Sequence, residues 1–214
     1  MRIMVVAKQP VPGRVKTRLC PPCTPEQAAD LATAALEDTL DAVRAVPAAR
    51  TLLLDGVYPA PGFDVLAQRG DGLGERLANG FADRPGPTLL IGMDTPQADP
   101  ELLGAALAWL GQADAVLGLA EDGGWWALGL RDPAHGALLR DVPMSTPDTG
   151  RLTALALATA GLRVLPLPVL RDVDTIADAA AVAALAPHGR FARAVAALDL
   201  GSRVRTDLEL AATP

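Results

Sequence analysis

A loop near the start of the chain gathers the cationic side chains best suited to bind phosphate groups. It follows the apolar run from Ile3 to Ala7, which predicts a buried strand, and it carries Lys8, Arg14, Lys16 and Arg18. Both lysines of the chain lie in this loop, whereas arginines are spread over the whole sequence. Flexible ammonium groups and planar guanidinium groups together suit a polyphosphate. The loop lacks the spacing of a Walker A motif, so we predict an anion-binding loop of another kind, with a solvated basic surface as the alternative.

A carboxylate follows the most strand-like run of the chain, Thr88 to Met93. Asp94 comes directly after this run and stands two residues before Pro96. In open α/β sheets ligands bind beyond the carboxyl ends of the strands. A carboxylate there is a suitable ligand for Mg²⁺ or Mn²⁺ that bridges phosphates. We therefore predict that Asp94 binds metal, with a simple turn cap before Pro96 as the alternative.

A third candidate segment places two acids beside two glycines and two tryptophans. It reads Glu121-Asp122-Gly123-Gly124-Trp125-Trp126 and lies between two apolar runs that predict strands. The glycines leave the backbone open beside the carboxylates. Neighbouring residues of a strand point to opposite faces, so we expect one of the two tryptophans to line a pocket.

The remaining pattern predicts strands that alternate with helices. Thr24, Pro25 and Gln27 form a helix start with a capping box, and short apolar runs at 51–55 and 63–67 predict strands. The alternating glycines that follow, from Gly70 to Gly74, predict a flexible turn that a flat ligand can approach closely. The order of elements predicts an α/β fold with a mostly parallel central sheet.

Composition limits the class of protein. The chain has 214 residues, half of them apolar, which predicts one domain over residues 1–200 and a C-terminal tail over 201–214. The net charge of −6 disfavours a general nucleic-acid-binding protein. No leader pattern opens the chain and no apolar run reaches the length of a membrane span, so we expect a cytoplasmic protein.

The only cysteines, Cys20 and Cys23, have the spacing of a redox pair or of half a zinc site. The only histidines, His135 and His188, are far away in the sequence, so a complete zinc site is disfavoured. Cytosolic thiols usually stay reduced, and we favour a structural role over a functional dithiol.

Five segments together resemble a known family. The strings AKQPVPGRVKTRL, GDGLGERL, IGMDTP, AEDGGWWALGL and DVDT, in this order, resemble the bacterial nucleotide-diphospho-sugar transferase-like proteins, also described as arsenosugar biosynthesis glycosyltransferases. The resemblance covers residues 2 to 185. It implies the type-A glycosyltransferase fold, a single Rossmann-like α/β/α sandwich.

The resemblance also implies roles for individual residues. The phosphates of the nucleotide would be held by Lys8, Arg14, Lys16 and Arg18. The nucleobase would be bordered by the turn that contains Gln68, Gly70, Gly74 and Glu75. The acceptor pocket would be formed by Gly123, Gly124 and Trp125. A metal ion, Mg²⁺ or Mn²⁺, would be held by Asp94. Because the second acid of an Asp-x-Asp motif is absent after Asp94, a distant partner would complete the site, with Asp174 as the candidate ligand and Asp122 as the alternative.

Three activities stay open at this point, since this fold hosts several chemistries. A glycosyltransferase would use a nucleotide-sugar and a small-molecule acceptor, with Glu121 or Asp122 as the base. A guanylyltransferase-like nucleotidyltransferase would instead hold an NTP with the loop that contains Lys16, join it to a phosphorylated small molecule and release pyrophosphate. The third alternative is a sugar-nucleotide-binding protein without turnover.

Overall fold

The computed structural model describes residues 1–198, which form a seven-stranded sheet with helices on both faces. The strands are β1 (Arg2–Lys8), β2 (Ala49–Asp55), β3 (Asp64–Ala67), β4 (Thr88–Gly92), β5 (Ala115–Leu119), β6 (Trp125–Leu130) and β7 (Val164–Pro166). The predicted tail at 201–214 lies outside the described residues, and the division into one domain and a tail stays a prediction.

The order of strands in the sheet is β3-β2-β1-β4-β6-β5-β7. Strand β6 runs antiparallel to both of its neighbours, and the other strand pairs are parallel. The carboxyl ends of the parallel strands therefore meet the start of β6 at one edge, which we call the carboxyl edge. This arrangement confirms the mostly parallel α/β sheet that the sequence predicts.

Six α-helices follow the strands in the described part of the chain. They are α1 (Pro25–Arg44), α2 (Leu73–Ala82), α3 (Pro100–Leu110), α4 (Thr149–Thr159), α5 (Ile176–Leu185) and α6 (Arg190–Ala197). The predicted capping box starts α1: Thr24 Oγ1 accepts a hydrogen bond from the Gln27 N–H at 3.2 Å, and Gln27 Oε1 accepts one from the Thr24 N–H at 2.8 Å. Two 3₁₀ helices, Thr17–Leu19 and Pro133–Asp141, complete the regular structure.

The two faces of the sheet are covered by different helices, because alternate strand residues point to opposite sides. Val5 belongs to one buried cluster with residues of α1 and α3, such as Leu40 and Leu110. Its neighbour Met4 belongs to another, with residues of α2 and α4 such as Phe81. These clusters make the sheet a rigid base for the side chains at its carboxyl edge.

A further cluster joins α5 and α6 to the outer side of α1. It contains Leu31 of α1, Val182 of α5, Phe191 of α6 and also Val173, which is 1% exposed. Val173 lies in the extended segment between β7 and α5. Its burial fixes the position of the residues on either side of it, two of which face the site described next.

Candidate functional site

Three neighbouring cavities lie along the carboxyl edge of the sheet, and Ser145 lines all of them. We call them the carboxylate cavity, the basic cavity and the turn cavity. Their volumes are about 450, 480 and 550 Å³. Each is large enough for part of a small ligand, and together they form a continuous cleft.

The basic cavity brings together all four cationic residues that the sequence singled out. Its lining includes Lys8, Arg14, Lys16 and Arg18. These side chains come from the end of β1 and from the loop before α1. Such a group of mixed Lys and Arg side chains provides the charge and the donors that a diphosphate requires.

The carboxylate cavity has the opposite character. Its charged lining consists of four aspartates and one arginine, namely Asp94, Asp122, Asp172, Asp174 and Arg18. Asp94 and Asp174 also line the basic cavity. These two carboxylates therefore mark the boundary between a cationic and an anionic compartment of one cleft.

Lys16 connects the two compartments. Its side chain is only 10% exposed, and its Nζ lies 2.9 Å from Asp94 Oδ1 and 3.5 Å from Asp174 Oδ1. It also donates a hydrogen bond to the carbonyl of Val173. Burial on its own lowers the pKa of Lys16, but the carboxylates of Asp94 and Asp174 outweigh it and raise the pKa above its ordinary value. The ammonium group therefore stays charged beside the two aspartates.

Backbone contacts hold Asp94 and Asp174 together. The N–H of Val173 donates to the carbonyl of Asp94 at 3.0 Å, which joins the segment after β7 to the turn after β4. Arg18 Nη1 lies 2.9 Å from Asp174 Oδ2. The structure thus brings these two predicted metal ligands together, and their binding of a metal stays a prediction.

The donor set at this boundary fits a divalent cation. Asp94 and Asp174 offer hard carboxylate oxygens that lie close together, because Oδ1 of each lies within 3.5 Å of Lys16 Nζ. Among residues 1–198 no group of three or more His, Cys, Asp or Glu side chains is arranged to hold a metal ion. Mg²⁺ is usually bound by one or two carboxylates plus phosphate and water oxygens, so two aspartates are a sufficient protein contribution.

Asp172 is a site residue that sequence reasoning missed. It lines the carboxylate cavity, and burial together with the charges of Asp94 and Asp122 raises its pKa to about 7. From the sequence we expected that Asp172 and Asp174, as alternate residues of an extended segment, could not both face one site unless the chain turned. That expectation is wrong, because alternate residues of an extended segment point to the same side, which here is away from the buried side of Val173.

The two candidate bases are separated by the structure. Asp122 lines the carboxylate cavity, and its Oδ1 accepts a hydrogen bond from the Gly124 N–H at 2.8 Å. Glu121 lines none of the three cavities, and its carboxylate lies 2.6 Å from Arg171 Nε. Of the two, only Asp122 therefore lines the cleft.

Glycine is required at the turn that carries Asp122. Gly123 has a φ of +91°, and a Cβ there would lie 2.0 Å from the carbonyl oxygen of Pro147. Its own carbonyl accepts a hydrogen bond from the Gly150 N–H at 2.8 Å, which ties the turn to the start of α4. Gly124 lines the carboxylate cavity, whereas Gly123 supports it from behind.

Both tryptophans of the pair contribute to the carboxylate cavity, where the sequence predicted one. Trp125 Nε1 donates to Thr153 Oγ1 at 3.1 Å, which fixes the indole against α4. Trp126 is 1% exposed, and its Nε1 donates to the carbonyl of Pro168 at 2.9 Å. Trp126 is therefore mainly a core residue, and Trp125 forms the partly exposed aromatic wall.

Only part of the predicted nucleobase turn lines the cleft, and another part is anchored to the sheet. Gly74 and Glu75 line the turn cavity, whereas Gln68 and Gly70 do not. Gln68 Nε2 donates to the carbonyls of Ala7 and Leu53, at 2.9 and 3.2 Å, and so anchors the turn to the ends of two strands. Contact between this turn and a nucleobase stays a prediction.

Ser145 is the second residue that sequence reasoning missed. Lys16 and Ser145 are the only non-glycine residues with positive φ in the described part of the chain, at 48° and 59°, and both line the basic cavity. Such conformations are concentrated at functional sites. The Ser-Thr-Pro string reads as a helix start, so nothing in the sequence indicates this backbone conformation; α4 begins later, at Thr149.

The two cysteines lie outside the cleft. Cys20 and Cys23 line none of the three cavities, and Cys23 is 4% exposed. No helix within residues 1–198 combines the length and the apolar character needed to cross a membrane.

Residues 28–146 match the model of a family described as "Uncharacterized protein conserved in bacteria (DUF2064)". This chain belongs to that family. The match spans more than half of the chain, including most of α1, Asp94 and the turn with Asp122, but it excludes the basic loop and the segment with Asp174. No curated protein matches the chain.

Comparison with solved structures supports the same fold. A candidate nucleotide-diphospho-sugar transferase from Desulfovibrio desulfuricans G20 is 30% identical, with a TM-score of 0.76 over 83% of each chain. A CMP-2-keto-3-deoxy-manno-octonic acid synthetase in complex with CTP is 15% identical, with a TM-score of 0.58 over 86% of this chain and 97% of that one. Rv0371c of Mycobacterium tuberculosis H37Rv in complex with manganese is 20% identical, with a TM-score of 0.53 over 85% and 97%. The last two likenesses concern the fold alone.

Proposed function

We propose that this protein is a metal-dependent transferase that takes a nucleoside-diphosphate sugar as its donor and passes the sugar to a small-molecule hydroxyl. One observation carries the proposal: the four cationic side chains of the basic cavity and the four aspartates of the carboxylate cavity meet at a boundary, and Arg18, Asp94 and Asp174 line both cavities there. The name of the D. desulfuricans relative, at 30% identity, supports the same class of donor.

The diphosphate of the donor binds in the basic cavity under this proposal. Lys8 and Arg14 supply charge at its outer wall, and Lys16 and Arg18 lie next to Asp94 and Asp174 at the boundary. Cationic groups held in advance around the diphosphate stabilise the charge that develops when the sugar departs. These cationic groups thus stabilise the transition state more strongly than the bound substrate.

Asp94 and Asp174 are the residues that would hold Mg²⁺ or Mn²⁺. When bound, the ion supplies positive charge to the oxygens of the leaving diphosphate. The protein's own part is to keep the two carboxylates at the boundary between the cavities, through the hydrogen bond from the Val173 N–H to the Asp94 carbonyl.

Asp122 is the base in the proposed reaction. The acceptor oxygen forms a bond to the anomeric carbon of the sugar, the bond from that carbon to the diphosphate oxygen breaks, and the acceptor proton passes to Asp122. The hydrogen bond from the Gly124 N–H keeps the carboxylate of Asp122 oriented. Trp125 lines the same cavity, and its indole is held against α4 by the hydrogen bond to Thr153 Oγ1.

Nucleotidyl transfer, the alternative, is disfavoured by the lining of the carboxylate cavity. Its second substrate is phosphorylated, and that phosphate would have to attack from this cavity. The only cationic side chain among its lining residues is Arg18, which already pairs with Asp174, so the protein offers little positive charge for a second phosphate there.

A binding panel followed by product analysis tests the proposal. UDP-, GDP-, ADP- and dTDP-sugars are compared with GTP, CTP and ATP, each with and without Mn²⁺ or Mg²⁺, by thermal shift and calorimetry. We expect selective, metal-dependent binding of a nucleoside-diphosphate sugar and slow release of the nucleoside diphosphate. Binding of an NTP alone, with pyrophosphate release in the presence of a sugar phosphate, would contradict it. Binding with no turnover for any acceptor would favour a binding protein.

A further inference from the structure

The two outer strands of the sheet, β3 and β7, present different edges to their surroundings. In a parallel ladder each residue directs its N–H and C=O groups to one side, and the next residue directs them to the other. Leu167 donates its N–H to the carbonyl of Leu117 in β5, so Val164 and Pro166 of β7 direct their backbone groups away from the sheet. Proline has no N–H group, and this edge is therefore protected against pairing with another strand.

The edge at β3 is open. Gln68 donates its N–H to the carbonyl of Leu54 in β2 at 2.9 Å, so Leu66 directs its backbone groups to β2, whereas Val65 and Ala67 direct theirs outwards. The backbone groups of Val65 and Ala67 form no hydrogen bond with any described residue, and both residues are exposed. This edge therefore offers two N–H groups and two C=O groups to another strand.

The side chains of β3 do not protect this edge either. Val65 is 50% exposed and belongs to none of the three buried clusters, whereas Leu66 on the other face packs against the cluster that contains Phe81. The strand has neither lysine nor proline, the residues that often keep an edge unpaired. Its one charged residue, Asp64, lies 3.6 Å from Arg2 Nη1. The edge thus combines unpaired backbone groups with apolar surface.

The open part of this edge is limited on both sides by contacts within the chain. Before β3, the Phe63 N–H donates to the carbonyl of Ala60 at 3.1 Å. After β3, the carbonyl of Arg69 accepts a hydrogen bond from Asn79 Nδ2 at 2.7 Å. A partner strand can therefore pair fully only with the two outward-directed residues between these contacts.

These limits select one register for a second copy of the same strand. Two copies related by a two-fold axis pair in antiparallel direction and in a self-complementary way. Every open backbone group has a partner only when Val65 of each copy lies opposite Ala67 of the other. Leu66 then faces Leu66 of the second copy across the axis, and Asp64 lies opposite Gln68. No two like charges oppose each other in this register.

We infer that this chain forms a homodimer through β3, in which the two sheets join into one continuous sheet across a two-fold axis at Leu66. The partner is a second copy, because the register that Val65 and Ala67 require is self-complementary. Pairing satisfies the open backbone groups and covers the exposed side chain of Val65. The inference concerns a surface outside the three cavities and does not depend on the proposed function.

Sedimentation equilibrium of the full chain measures this association. We expect a dimer with a dissociation constant below about 100 μM. Val65→Lys should raise this constant at least about tenfold, because it brings two lysines together beside the axis. Leu155→Lys is the matched control, since Leu155 is a similarly exposed apolar residue, at 55%, on α4. It should leave the dissociation constant unchanged.

Ala67→Pro tests the backbone pairing itself. It removes an outward N–H group and leaves the hydrogen bonds between β2 and β3 in place, so circular dichroism should show a folded chain. The dissociation constant of the dimer should again rise at least about tenfold. Ala67→Ser keeps the N–H group and is the matched control, which should still form the dimer.

Cysteine substitutions test the register. Leu66 faces its own copy in a close pair, with Cα atoms about 4.5 Å apart, whereas Ala67 lies diagonally from its own copy at about 7 to 8 Å. With Cys20 and Cys23 changed to Ser and with oxidised glutathione as the oxidant, Leu66→Cys should form a disulfide-linked dimer. Ala67→Cys should not, although residue 67 is the more exposed of the two.

Three results would overturn the inference. One is a single chain in solution at about 100 μM. Another is a dimer that neither Val65→Lys nor Ala67→Pro weakens, since it would use a different surface. The third is faster cross-linking of Ala67→Cys than of Leu66→Cys, which would contradict the register. Nucleotide binding is measured separately, so failure of the dimer and failure of the proposed function are distinguishable.

Discussion

The side-chain nitrogen of Lys16 lies 2.9 Å from Asp94 Oδ1, although one residue follows β1 and the other follows β4. The contact places a buried positive charge against the carboxylate that is proposed to bind metal. Under the proposed function Lys16 therefore has two effects: it attracts the phosphates of the donor, and in their absence it neutralises the proposed metal ligands Asp94 and Asp174.

We expect Lys16→Met to weaken nucleotide binding by about 1.5 kcal/mol or more, the scale of a charge-assisted hydrogen bond. Methionine keeps the length of the side chain and removes the charge. Calorimetry with the preferred nucleoside diphosphate measures the change. Lys8→Met is the control: its side chain is 51% exposed and lies 4.0 Å from its partner Asp55, so its effect should be smaller. Equal affinities of Lys16→Met and wild type would remove this loop from the site.

Replacement of Asp94 by Asn should abolish the stimulation of nucleotide binding by Mn²⁺ or Mg²⁺, because an amide is a poorer ligand for a hard cation than a carboxylate. In the absence of nucleotide, the Lys16→Met variant should bind Mn²⁺ more tightly than the wild type, since the competing ammonium group is gone. Calorimetry measures both the Mn²⁺ affinity and the metal dependence of nucleotide binding. Metal dependence that persists in Asp94→Asn would move the metal to other ligands.

We expect Asp122→Asn to lower kcat for release of the nucleoside diphosphate by about 100-fold or more, as is usual on loss of a general base. KM for the donor should change little, because the asparagine oxygen can still accept the hydrogen bond from the Gly124 N–H. Glu121→Gln should retain most of the activity, since Glu121 faces Arg171 instead of the cleft. The reverse result, with Glu121→Gln inactive, would identify Glu121 as the base.

Stability of the outer helices should depend on Asp38. Its carboxylate accepts hydrogen bonds from the N–H groups of Arg190 and Phe191, at 2.9 and 2.8 Å, and so caps the start of α6 from α1. Asp38→Ala should reduce the free energy of unfolding by about 1 to 2 kcal/mol, the usual cost of losing a helix cap. Urea denaturation measures the change.

Asp41 provides the control for this capping contact. Its side chain is 45% exposed and pairs with Arg190 and Arg44, so Asp41→Ala should cost less than Asp38→Ala. Hydrogen bonds from Arg190 and Arg44 lower the pKa of Asp41. Its contribution is therefore present above the ordinary pKa of an aspartate and is lost as the pH falls through the lowered value. A larger loss in Asp41→Ala than in Asp38→Ala would contradict the capping role.

Local signals in the sequence were sufficient to predict the fold. The capping box at Thr24 and the apolar run of β4 are short-range patterns, and the structure contains both. The 3₁₀ helix Pro133–Asp141 was not predicted, because it has neither the period of a strand nor that of an α-helix. The family resemblance supplied the order of the parts.

The site could be predicted only in part, because its geometry depends on long-range contacts. The clustering of Lys8, Arg14, Lys16 and Arg18 was visible from their spacing. The contact of Lys16 with Asp94, and the separation of Asp122 from Glu121, arise from the way the strands pair and the turns close. No local sequence pattern indicates the contact between Lys16 and Asp94 or the different surroundings of Asp122 and Glu121.

The antiparallel direction of β6 has a consequence for how this family can diversify. Because β5 and β6 are joined by a hairpin turn, the segment with Asp122 and Trp125 enters and leaves the cleft without crossing the sheet. Insertions or substitutions in that hairpin can therefore reshape the acceptor side while the donor side, built on the parallel strands, stays intact. Under the proposed function, we expect members of this family to differ in their acceptors more often than in their donors.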